Sequence, residues 1–187
     1  EKDINVIVFQ DYDKGVISQK LIEQVVALSN KKNIPVVVDP KKTNFLSYNN
    51  VTLFKPNLKE IKEGLNLDLS ENNEVDIELA VAKLQDTLNA KIILNTLSDK
   101  GVFVSWKIEG GYESMLIPAH IRNIADVSGA GDTVISVAAL CLAQGIAPPV
   151  MAAISNLAGG IVCEEVGVVP VSKEKLQNEV NRLLARS

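Results

Sequence analysis

DVSGAGDTVISVAAL, residues 126–140, is the stretch on which the reading of the fold turns. Three small residues, Gly129, Ala130 and Gly131, precede an acid, Asp132, and the chain then enters an unbroken apolar run. Such a stretch is a loop feeding a helix N-terminus. Small residues let backbone N–H groups converge on a ligand, and the positive end of the helix dipole adds to the pull on an anion. The loop therefore reads as a phosphate cradle. Asp132 stands where an N-cap or first-turn carboxylate is expected, so residue type alone explains it as well by capping as by chemistry. No GKS or GKT follows, which separates the loop from the Walker A motif.

Downstream, no charged residue occurs between Thr133 and Cys163. Gln144-Gly145 and Pro148-Pro149 break this stretch into pieces shorter than the roughly 20 apolar residues of a spanning helix, which predicts two buried helices. Cys141 and Cys163 both fall within them and read as buried thiols of a reducing, cytoplasmic setting rather than a disulfide framework. With a single histidine in 187 residues, His120, a zinc site is not expected. His120 has no nucleophile beside it in the pattern and receives no role. A chain 47% hydrophobic is enough for one domain with a substantial core. The net charge of −4 leaves no basic footprint for nucleic acid or an anionic membrane. The N-terminal EKDINVIVF lacks a targeting pattern.

Upstream, the pattern alternates strand and helix. INVIVF (4–9) and IPVVVD (34–39) read as buried parallel strands flanking a helix over 16–29, a βαβ unit. VTLFK (51–55) is a third strand, and KIILN (91–95) and residues 102–106 are neighbours joined through a glycine turn. KIEGGY (107–112) is a hairpin turn. A polar break over 70–73 precedes a helix over 74–88 with Val75, Leu79, Val81, Ala82 and Leu84 as its apolar side. Pro149 opens the helix of 151–163, and a serine-capped helix over 172–184 closes the chain. Ligands of open α/β sheets sit beyond the carboxyl ends of the strands, where Asp11, Lys14, Asp39 and Lys41 lie. Composition alone makes these solvated loop residues. Asn57 is a good N-cap with Glu60 three residues on, a capping-box pattern. No GxGxxG follows the first strand, which argues against a dinucleotide-binding domain.

Residues 126–140 resemble the second signature of the PfkB, or ribokinase-like, carbohydrate kinases. DYDKG (11–15) and VVVDPKKTNF (36–45) are similar to segments of the kinase domain of the bifunctional heptose 7-phosphate kinase and heptose 1-phosphate adenylyltransferase proteins. Here lysine, Lys42, replaces the glycine of their DPKG. The resemblance implies a three-layer α/β/α fold with a mostly parallel central sheet. Residues 1–187 would be the C-terminal, ATP-binding and catalytic portion, without the N-terminal part and lid. It implies Asp132 as catalytic base, with Gly129, Ala130 and Gly131 as the anion hole. PNLKE resembles the NxxE motif, so Asn57 and Glu60 would organise Mg2+ through water, with Leu58 and Lys59 beside the nucleotide. NTLSDKG (95–101) resembles a segment bordering the ATP site, which implies nucleotide contacts at Asn95, Thr96, Ser98 and Gly101, and Asn156 would lie near the adenine. Asp11, Lys14, Asp39 and Lys41 would meet an anionic sugar. Asp126 and Ser128 match positions that hold a monovalent cation such as K+ in some members. The implied partners are ATP and a small sugar or sugar phosphate, with a homo-oligomer compatible. The alternative of a different class is a nucleotide-binding module without turnover.

Overall fold

The computed structural model describes residues 3–67, 73–120 and 122–185. Four strands, β1 (Ile7–Gln10), β2 (Val36–Asp39), β3 (Leu53–Phe54) and β4 (Ile92–Thr96), pair in parallel in chain order. The sheet then turns antiparallel through β5 (Val102–Ile108) and β6 (Gly111–Ile117), so β1 and β6 form its edges. The helices are α1 (Gln19–Lys31), α2 (Leu58–Leu65), α3 (Glu74–Leu88), α4 (Ala130–Ala143), α5 (Pro148–Val162) and α6 (Lys173–Leu184).

Period-two alternation along the strands divides the core into two layers. Phe9, Val36, Val38, Phe54, Ile93 and Phe103 face α1, α2 and α3, where they pack with Ile22, Ile61 and Leu84. Val37, Leu53, Ile92, Leu94, Val102 and Val104 face α4 and α5, where they meet Ile135, Ala138 and Met151. This is the expected three-layer sandwich with a mostly parallel sheet. The uncharged stretch resolves into α4 and α5 as anticipated, with proline in the first turn of α5 and both cysteines buried and free. Among the described residues no helix is long and apolar enough to cross a membrane.

Several boundaries differ from expectation for local reasons. Ser18 caps α1 by accepting from the Leu21 N–H, which moves the helix start to Gln19 and leaves Val16 exposed in the loop. In α3 the buried stripe is Ile77, Ala80, Val81, Leu84 and Leu88, whereas Val75 and Leu79 point to solvent. The polar break expected at 70–73 lies, apart from Asn73, outside the described residues; Asn73 caps α3. Lys42, where the similar proteins carry glycine, opens a short 3-10 turn and is not among the residues with positive φ.

Gly101, expected at the nucleotide, has a backbone reason for its identity. It sits at φ +98° where the chain passes beneath the end of β6, and a Cβ there would lie 2.1 Å from the Ile117 carbonyl oxygen. Replacing Gly101 by alanine is expected to lower stability by about 2–4 kcal/mol in urea denaturation, through strain and the forced separation of β5 from β6.

Candidate active site

The same alternation that sorts the core also sorts the strand ends. Gln10, Asp39 and Lys55 follow the parity of the residues that face α4, and all three converge beneath the N-terminus of that helix. Gln10 and Asp39 are register partners in β1 and β2, and the Lys55 N–H bonds the Val38 carbonyl beside them. The Lys55 ammonium lies 3.1 Å from Asp39 Oδ1, with both side chains about one-twentieth exposed (5% and 6%). Gln10 Nε2 donates to Asp39 Oδ2 and to Asp132 Oδ1, each at 2.8 Å. The Tyr12 hydroxyl donates to the same Asp132 carboxylate. A chain of contacts thus runs from Lys55 through Asp39 and Gln10 to Asp132.

Asp132 belongs to the first turn of α4 but is not its cap: Gly129 holds the N-cap position at φ +77°. A side chain at Gly129 would be strained at that φ, and its Cβ would stand 3.0 Å from Val168 Cγ1. First-turn N–H groups have no carbonyl partner within their own helix. That of Ala130 turns back to the Val127 carbonyl at 3.2 Å. Of the set expected at Gly129, Ala130 and Gly131, the Ala130 N–H is thus engaged within the loop, while Gly131 and Asp132 carry first-turn N–H groups of α4. A Cβ on Gly131 would be 3.7 Å from Lys55 Nζ, so the buried ammonium stands directly against this helix end.

Asp126 sets the loop before α4. Its Oδ1 accepts from the Ser128 N–H and hydroxyl at 2.9 and 2.8 Å, and its Oδ2 from the Gly167 N–H at 3.0 Å. These donors hold its carboxyl below the usual range. Asp126 and Ser128 are thus tied to one another. Arg122, with its guanidinium almost buried between Glu164 and Glu179, anchors the segment leading in from β6.

Asn57 and Glu60 form a reciprocal capping box at the start of α2: Asn57 Oδ1 accepts from the Glu60 N–H and Glu60 Oε2 from the Asn57 N–H, both at 2.8 Å. Glu60 Oε1 also pairs with Lys41 Nζ at 3.0 Å. Burial pulls the Lys41 ammonium down, but the hydrogen bond and charge of Glu60, joined by the charges of Asp39 and Asp132, outweigh it and raise its pKa. Asn57 bridges to Thr96 across the sheet end, which brings these two predicted nucleotide contacts together. Leu58 turns its side chain into the core and Lys59 points to solvent beside Glu63. Ser98 lies exposed in the tight turn before Gly101. Asn156 donates to the Pro118 carbonyl at 3.0 Å, tying α5 to the chain after β6.

Two of the expected contacts, Asp11 and Asn95, have the parity of the layer formed with α1, α2 and α3. Asp11 follows Gln10 by one residue and so points to the opposite layer, where it is 2% exposed. Its carboxylate accepts from the Asp13 N–H, Asn44 Nδ2 and the Tyr48 hydroxyl at 2.9, 3.1 and 2.7 Å. These bonds secure the loop after β1. Asn95 shares the parity of Ile93 and is fully buried, with both amide atoms unpartnered. Lys14 is exposed in the loop after β1. Gln10, Tyr12 and Lys55 had no assigned role. The available signal was Lys55 itself, a charge ending an otherwise apolar strand, which is costly to bury unless paired.

With this geometry in place, comparison with known proteins decides the family. Residues 6–175 match the pfkB family carbohydrate kinase. The chain belongs to that family. It is 34% identical over 172 residues to the bifunctional protein HldE of Syntrophotalea carbinolica, covering 92% of this chain and 34% of that protein. Similarity to HldE of a Caulobacter species is 35% over 175 residues, covering 94% and 35% of the two chains. The chain therefore spans about a third of the curated relatives it matches. Among solved structures, phosphofructokinase-2 from Escherichia coli in complex with potassium superposes with a TM-score of 0.79 at 20% identity, covering 90% of this chain and 53% of that one. Arabidopsis thaliana ribokinase with ribose and ATP gives 0.78 at 18%, covering 94% and 55%. These likenesses bear out the ribokinase-like fold.

Two measurements check the electrostatics. Asp39→Asn leaves the Lys55 ammonium buried without its counter-charge and is expected to cost about 3–5 kcal/mol in denaturant unfolding, most of which Asp39→Leu with Lys55→Met restores. The Asp11 carboxyl titrates lower in the folded chain: burial raises it, but the Asp13, Asn44 and Tyr48 donors more than compensate. A depressed carboxyl contributes stability that is present above its unfolded value of about 3.9 and lost as pH falls through the folded value. Asp11→Asn is expected to destabilise at pH 7 and to flatten the fall in stability below about pH 4.

Proposed function

We propose that the chain transfers the terminal phosphoryl group of Mg·ATP to a sugar hydroxyl, with heptose 7-phosphate as the acceptor. The observation that carries this reading is the meeting of a carboxylate, Asp132, a buried ammonium, Lys55, and a helix N-terminus at one point. The acceptor oxygen attacks the terminal phosphorus as its proton passes to Asp132, and the bond to the bridging oxygen of ADP breaks. The N–H groups of Gly131 and Asp132 and the Lys55 ammonium stabilise the charge on the transferred group, and being fixed before reaction they need no reorganisation. Asp39 and Gln10 hold Lys55 and Asp132 in place.

The residues fit magnesium held through water and phosphate oxygens. Asn57 and Glu60, the capping box that opens α2, would hold it through water. The ion would neutralise charge between the outer phosphates. Glu60, already paired with Lys41, orients that region. For the acceptor, Lys41 and Lys14 supply positive charge on the β1 and β2 side, and the similarity of DYDKG and DPKK to the heptose kinase branch supports a phosphorylated sugar. The buried free cysteines fit a cytoplasmic setting. The resemblance of this loop to its family supports Asp126 and Ser128 as the place for a monovalent cation such as K+.

Calorimetric titration with Mg·ATP, paired with ADP release over a panel of sugars and sugar phosphates, tests the proposal. Binding with release on the heptose phosphate is expected. In Asp132→Asn, ATP affinity is expected to hold while turnover falls by about 10²–10⁴, the scale of a lost general base. No binding of Mg·ATP by a folded chain would refute the reading.

A further inference from the structure

The Tyr12 hydroxyl lies 3.2 Å from Oδ1 and 3.2 Å from Oδ2 of Asp132, straddling the carboxylate, although the residue is 55% exposed. A hydroxyl in that position is where an acceptor about to give up its proton must stand. The other group on Asp132, Gln10, comes from within β1 and is fixed by Asp39. Tyr12 is held differently. Its neighbour Asp11 is anchored inward, but Tyr12 lies between the end of β1 and a run of bends that includes Asp13 and Gly15, both at positive φ, and nothing lies within 4 Å of where a Gly15 Cβ would be. The Tyr12 ring is exposed and outside the strand ladder, whereas Gln10 is held in β1 by its pairing with Asp39.

Resting on the phosphotransfer reading above, we propose that the Tyr12 hydroxyl holds the acceptor's place at Asp132, competing with the sugar hydroxyl and keeping water from the base until a sugar displaces it. A displaceable hydroxyl that is itself a poor acid suits this role. Desolvation and the charge of Asp132 raise the phenol above its ordinary value, so it stays protonated and keeps donating. The specificity consequence is direct: a sugar must make enough contacts elsewhere to offset one hydrogen bond, whereas water cannot.

Tyr12→Phe tests this, since the ring is exposed and the change removes one oxygen. The expected result is a rise of about fivefold in sugar-independent ADP release and a fall of similar size in acceptor KM, with ATP KM unchanged, the scale of one competing hydrogen bond. Lower kcat with acceptor KM unchanged would make Tyr12 a supporting donor and overturn the proposal, as would no change at all. Phenol-carbon NMR of the three tyrosines gives a readout free of turnover. The Tyr12 signal is expected to shift in Asp132→Asn and again when a sugar phosphate binds. A Tyr12 signal indifferent to Asp132→Asn, where the unsubstituted protein turns over, overturns the proposal alone. Absence of ADP from every variant, with the Tyr12 signal still responding to Asp132→Asn, overturns the phosphotransfer reading and the proposal with it.

Discussion

An ammonium group buried at the end of a parallel sheet must be compensated, and at Lys55 that requirement organises the whole centre. The counter-charge comes from Asp39 on the next strand, and the second oxygen of Asp39 is satisfied by Gln10 on the strand after that. The remaining donor capacity of Gln10 reaches Asp132 across the gap to α4. Three adjacent strand ends and one helix are thus joined by one continuous chain of contacts. Buried ion pairs contribute little net stability, because desolvation offsets attraction. Their value here lies in placement: the charge stands against Gly131, where a Cβ would lie 3.7 Å from the ammonium.

The rest of the frame keeps the loop before α4 in position. Asp126 draws the loop onto the Gly167 amide, and the Cys163 carbonyl receives the N–H groups of Ala125 and Asp126. Arg122 and Lys175 bind Glu164 from two sides, so α6 is fastened to the same region. The capping box of α2 serves two ends at once. It satisfies the N–H groups of the Asn57 cap and of Glu60, and it leaves the other Glu60 oxygen on Lys41.

Much of the architecture was legible because the signals are local. The glycine loop with its apolar run, the proline break between α4 and α5, the serine and asparagine caps and the alternation of strands and helices each depend on a few neighbouring residues. What escaped was a matter of one-residue parity. Reading INVIVF as ending at Phe9 put Gln10 in a loop, whereas the ladder extends to Gln10 and aims it at Asp132. The same step sends Asp11 to the opposite layer, although both sit at a strand end. Asn95 and Thr96 divide in the same way. Parity depends on where pairing stops, and pairing is set by the partner strand, which no local window contains. Tyr12 escaped for another reason, since its contact spans 120 positions.

The account rests on the claim that Lys55 and the α4 N-terminus receive the phosphoryl group in flight. A crystal structure with magnesium and a non-hydrolysable ATP analogue tests it most directly. The predicted result places the terminal phosphate within hydrogen-bonding distance of Lys55 Nζ and the Gly131 N–H, with Asp132 facing it from the acceptor side. A triphosphate seated away from the α4 N-terminus, with Lys55 engaged by Asp39 alone, would contradict the account.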